Sequence, residues 1–85
     1  MASTSLESAR SVRLFNPTTG NQSLLLSGKA TRRIRIAAAG NLTLRLIDDS
    51  SSYTLTGLVI GDVLDVQAVR VLAAGSTVTA IEVFY

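Results

Sequence analysis

The chain is 85 residues long and contains neither cysteine nor histidine, which excludes disulfide staples, thiolate chemistry, histidine zinc sites and any Ser-His or Cys-His nucleophile. A chain of this length is one domain and buries only about 60% of its unfolded surface; with 47% of its residues apolar and only 5% aromatic, it has apolar surface left over for a neighbour to cover. The net charge of +2 hides an asymmetry, because residues 1–47 carry seven basic residues against Glu7 alone while residues 48–85 carry five acidic residues against Arg70. The two halves can satisfy each other inside the fold or meet head to tail around a ring of identical copies.

No run reaches the roughly 18 consecutive apolar residues of a membrane span, and Met1-Ala2-Ser3-Thr4-Ser5 lacks the charged start and apolar stretch of a signal peptide. The expectation is a soluble protein folded in a cytoplasm. Residues 1–11 are rich in Ser, Thr and Ala and read as a flexible arm. Val12-Arg13-Leu14-Phe15 predicts a short strand, Asn16-Pro17-Thr18-Thr19-Gly20-Asn21 a turn, and Leu24-Leu25-Leu26 a second short apolar run. Together they suggest an apolar hairpin on a polar tether, suited to lying across a neighbouring subunit. Residues 1–27 are therefore expected to be an N-terminal arm with a short hairpin, and residues 28–85 the core.

Ile34 and Ile36 alternate with Arg33 and Arg35; after Ala37-Ala38-Ala39-Gly40-Asn41, Leu42, Leu44 and Leu46 alternate with Thr43, Arg45 and Ile47. Period two on both sides of a turn predicts a half-buried antiparallel pair. Asp48-Asp49-Ser50-Ser51-Ser52 reads as a polar loop, and Tyr53-Thr54-Leu55-Thr56 as a third strand with Tyr53 and Leu55 inward. Gly57 and Gly61-Asp62 punctuate the next connection. From Val63 to Leu72 the apolar phase changes, with Leu64, Val66 and Ala68 on one parity and Val69 and Val71 on the other, which predicts a bulge near Ala68. After the turn Ala73-Ala74-Gly75-Ser76, the last strand places Thr79, Ile81, Val83 and Tyr85 on one face and Glu82 and Phe84 on the other. Phe84 is then either an interface anchor or the cover of a sheet edge or second core within the monomer.

Motifs for chemistry fail on geometry. Gly20 to Gly28-Lys29-Ala30-Thr31 has its glycines too far apart for a phosphate loop, and Ala30 stands where a magnesium-binding hydroxyl is needed. Asp48-Asp49 lacks the alternating ligands of a calcium loop, and nothing places Asp62 and Asp65 across a pocket for acid–base work. No catalytic residue, cofactor or metal is expected. Lys29, Arg32, Arg33 and Arg35 form the one cationic cluster, but it has no stacking aromatics for single-stranded nucleic acid, so a solvated or subunit-contacting face is preferred over a phosphate-binding one.

The order of elements carries a resemblance. Ala39-Gly40-Asn41-Leu42-Thr43-Leu44, Tyr53-Thr54-Leu55-Thr56-Gly57, Gly61-Asp62-Val63-Leu64-Asp65-Val66, Arg70-Val71-Leu72-Ala73-Ala74-Gly75-Ser76-Thr77 and Ala80-Ile81-Glu82-Val83-Phe84-Tyr85 resemble a family of small phage and prophage virion proteins that includes the spike base proteins of gene transfer agents. The likeness spans residues 28–85. It departs from the family at Asp65, where a proline often follows the leucine corresponding to Leu64, and residues 1–27 have no counterpart.

The reading that results is an all-β protein, a small antiparallel β-sandwich or barrel with an extended N-terminal arm, that is not an enzyme. The resemblance implies a virion protein made in the host bacterial cytoplasm, a decoration, cement or spike-base protein on the capsid surface, acting as a symmetric homo-oligomer such as a trimer or pentamer. Its implied partners are the phage major capsid protein and a spike or fibre protein, with no membrane and nucleic acid disfavoured. Arg10, Arg13, Leu14, Phe15, Arg32, Arg33, Arg35, Phe84 and Tyr85 are the expected interface residues. The alternatives are a tail or baseplate adaptor and, from a different class, a small nucleic-acid-binding β module.

Overall fold

The computed structural model describes residues 11–85. Among these residues eight strands follow one another: β1 (Val12–Phe15), β2 (Gln22–Ser23), β3 (Arg33–Ile36), β4 (Gly40–Leu46), β5 (Tyr53–Leu58), β6 (Val63–Leu64), β7 (Ala68–Leu72) and β8 (Ile81–Phe84). They form two four-stranded antiparallel sheets, in the orders β1-β8-β3-β6 and β2-β7-β4-β5. The expected sandwich is therefore what forms.

Its core follows from the period-two alternation. Ile34, Ile36, Ile81 and Val83 come from the first sheet and Leu42, Leu44, Ala68 and Val71 from the second, and all eight lie in one buried cluster. Leu24 and Val78, from the connections, are fully buried with them. Each such Leu, Ile or Val side chain contributes about 1.5–3 kcal/mol relative to exposure.

Four details differ from the sequence reading. First, β3 and β4 do not pair. The Ala37-Ala38-Ala39 connection carries the chain from one sheet to the other, because both Ile34 with Ile36 and Leu42 with Leu44 need a cover, and facing each other across the sandwich supplies one. Gly40 belongs to this crossing: at φ +146° it lies where a Cβ would come within 2.6 Å of the Thr77 hydroxyl and 3.0 Å of the Val78 nitrogen.

Second, the expected strand from Val63 to Leu72 is two strands in different sheets. The predicted bulge is present, since Arg45 pairs with Arg70 but Leu46 with Ala68, leaving Val69 as the extra residue. The chain bends there and changes sheets through Asp65-Val66-Gln67, as corners of sandwiches do. Thr31 fixes the corner. Buried, it donates its hydroxyl to the Val66 carbonyl (2.7 Å) and accepts from the Ala68 N–H (2.9 Å).

Third, the described part of the expected arm is built into the sandwich and forms no hairpin. β1 pairs with β8 and β2 with β7, so each joins a different sheet. The turn between them is real: Asn16 Oδ1 accepts from the Thr18 N–H (3.0 Å) at the start of a 3₁₀ turn, Pro17–Thr19.

Fourth, Tyr53 pairs with Leu44 but is 65% exposed. As the first residue of an edge strand it has a neighbour on one side only.

Candidate interaction site

The expected interface residues divide by position. Arg10 lies outside the described residues. On the outer face of the first sheet the register sets two rows side by side, Leu14, Glu82, Arg35 and Val63, then Val12, Phe84 and Arg33. Leu14 is 76% exposed and Val12 53%, so β1, an edge strand among the described residues, presents apolar side chains outward. Phe15 points the other way, half-buried against the core, with the Arg13 guanidinium 5.2 Å above its ring centroid. That is cation–π range, worth about 0.5–1 kcal/mol at an exposed site.

The arginines are not equivalent. Arg35 bridges to Glu82 (2.7 Å) and Arg33 to Asp65, so at these positions the basic and acidic halves meet within the fold. Arg32 is exposed, and among the described residues neither it nor Lys29 has an acidic partner. On the second sheet Arg45 stands directly opposite Arg70, a like-charge pair that costs stability.

Phe84 and Tyr85 are each only 7% exposed, so neither ring is a free anchor on the isolated chain. Phe84 lies between Val12 and Arg33 and closes one wall of a cleft. Tyr85 points into the core and donates its hydroxyl to the Leu24 carbonyl (2.5 Å), while its N–H donates to the Ser11 carbonyl (2.9 Å). Burial pushes the Tyr85 phenol above its ordinary value, against the opposing pull of Arg13.

The cleft has a volume of about 660 Å3, inside the roughly 300–1,000 Å3 range of ligand pockets. Ala30, Ile47, Val66 and Phe84 are the apolar part of its lining, and Lys29 and Arg32 contribute cations without an acidic partner among the described residues. Sequence reasoning found the cations but missed Ile47 and Val66, because the corner between β6 and β7 brings distant segments together. It also missed a second feature. The turn Val59-Ile60-Gly61-Asp62 exposes Val59 by 57% and Ile60 by 66%. The turn is braced by Asp62, whose N–H donates to the Val59 carbonyl (3.1 Å) and whose carboxylate accepts from the Val59 N–H (2.9 Å). The signal was available, since large apolar residues are out of place in a tight turn.

No family model and no curated protein matches the chain. Among solved structures it is similar to a chain in the capsid of a native GTA particle computed with C5 symmetry, at 29% sequence identity and a TM-score of 0.65, over 88% of this chain and 82% of that one.

Proposed function

We propose that this chain is a structural protein of a phage-like particle, a decoration, cement or spike-base protein that assembles as a homo-oligomer on the capsid surface. The observation that carries the reading is the likeness to a chain of a GTA capsid over 88% of the length. The surface supports it: exposed apolar residues on β1, on the Val59-Ile60 turn and at Tyr53 are material for contacts with other chains, and Lys29 and Arg32, without acidic partners among the described residues, suit an acidic capsid surface. Binding by surface complementarity is the whole mechanism.

The test uses particles made without this protein. Purified, labelled chain is added back, and heads and tails are separated by sedimentation. Saturable co-sedimentation with heads, weakened by added salt, is the expected result. Label on tails alone would favour a tail or baseplate adaptor. Label on neither, with salt-sensitive retention of the free chain on DNA, would favour the nucleic-acid reading.

A further inference from the structure

The apolar turn and the cleft lie at opposite ends of β3. Ile36 at one end bonds the turn, its N–H donating to the Asp62 carbonyl and its carbonyl accepting from the Gly61 N–H, each at 2.8 Å. Arg33 at the other end lines the cleft. A convex apolar feature and a concave one of mixed polar and apolar lining therefore sit at separate places on one molecule. Because the turn and the cleft are separate features, each copy can give its turn to one neighbour and receive the turn of another, the heterologous arrangement that builds rings or filaments.

The two features match in chemistry as well. Val59 and Ile60 project from a turn held rigid by both the backbone and side chain of Asp62, so presenting them costs little ordering entropy. The cleft offers Ile47, Val66 and Phe84 to apolar side chains. The Asp62 carboxylate adjoins the projecting residues, and the Lys29 and Arg32 cations at the cleft lack acidic partners among the described residues. Opposite charge beside an apolar contact sets its orientation.

We infer that the occupant of the cleft is the Val59-Ile60 turn of a second copy of this chain, in a head-to-tail contact that repeats from copy to copy. The inference rests on the proposed assembly as a homo-oligomer and specifies its interface. Whether the series closes into a ring depends on the rotation between successive copies.

The chain has no cysteine, so engineered ones are unique. Ile60→Cys and Gln67→Cys variants, the second at an exposed residue of the cleft, are mixed under mild oxidation and the products weighed. The mixed disulfide dimer is expected to outnumber either homodimer several-fold, to exceed the yield of a Thr56→Cys and Gln67→Cys mixture, and to fall several-fold when Lys29→Glu and Arg32→Glu are added. Predominant Ile60→Cys homodimers, mixed dimers no more abundant than the Thr56→Cys control, or a protein that stays monomeric up to its solubility limit would each overturn the inference. An Ile60→Asp variant added back to particles separates the two readings. Failed cross-linking with normal head binding sinks only the head-to-tail contact, whereas efficient cross-linking without head binding sinks only the capsid-surface role.

Discussion

The Thr31 hydroxyl is buried where the chain passes from β6 to β7, and it satisfies a carbonyl and an amide together. Thr31→Val keeps the shape and removes both bonds, leaving buried groups that each cost about 1–3 kcal/mol. The urea midpoint is expected to fall sharply, while Thr31→Ser, which keeps the hydroxyl, loses on the order of 1 kcal/mol for its methyl group. Equal loss in the two variants would show that packing, not hydrogen bonding, holds the corner. Tyr85 makes a different test. Its raised phenol stays neutral in the folded state above the pH at which the unfolded phenol, with a pKa near 10.0, ionises. The folded state then binds more protons, so stability is full below that pH and declines as pH rises from there through the folded value. Tyr85→Phe should flatten this alkaline decline, while at neutral pH it leaves the Leu24 carbonyl unpaired at a cost of about 1–3 kcal/mol. Unfolding monitored from pH 7 to 11 gives both numbers.

At the scale of elements, the sequence shows where strands are but not always which sheet takes them. The alternations at Ile34-Ile36 and Leu42-Leu44-Leu46 located β3 and β4, and the phase change at Val69 located the bulge. Period two reports that a residue faces a core, yet it is silent on whether the cover is the next strand's neighbour or the opposite sheet. That is why β3 and β4 were expected to pair and instead face each other. The cleft was illegible for a related reason, since Ile47, Val66 and Phe84 meet only after the corner forms. The Val59-Ile60 turn could be read but was passed over as punctuation. Gly40 marks the β3–β4 crossing and gives it a test: Gly40→Ala places a methyl against Thr77 and the backbone of Val78 at an unfavourable φ and should destabilise by more than about 1 kcal/mol. A Gly28→Ala control, also at positive φ but with nothing within 4 Å, isolates the part due to the clash. The ion pairs matter less. Arg35–Glu82 is over a third exposed on the arginine side, so a double-mutant cycle is expected to return no more than about 1 kcal/mol.

For the whole molecule, a small sandwich with exposed Leu14, Ile60, Tyr53 and Val59 has two ways to be stable. It can rely on its one core, or it can add contacts with copies of itself. These differ in a measurable respect, because a contact made only by folded chains stabilises by mass action. With the association site near saturation, a tenfold rise in protein concentration adds about 1.4 kcal/mol per occupied contact. In a domain of this size that raises the thermal midpoint by on the order of 5 °C or more. Ile60→Asp should abolish the concentration dependence and leave the dilute midpoint nearly unchanged, since Ile60 is 66% exposed and surface substitutions typically shift stability by about 0.5 kcal/mol or less. A midpoint independent of concentration in the unmodified chain would mean that its single core suffices and that the exposed apolar residues are reserved for a different partner. A midpoint that falls equally for Ile60→Asp at every concentration would instead place Ile60 in the fold itself, and the turn would be a structural element with no role in assembly.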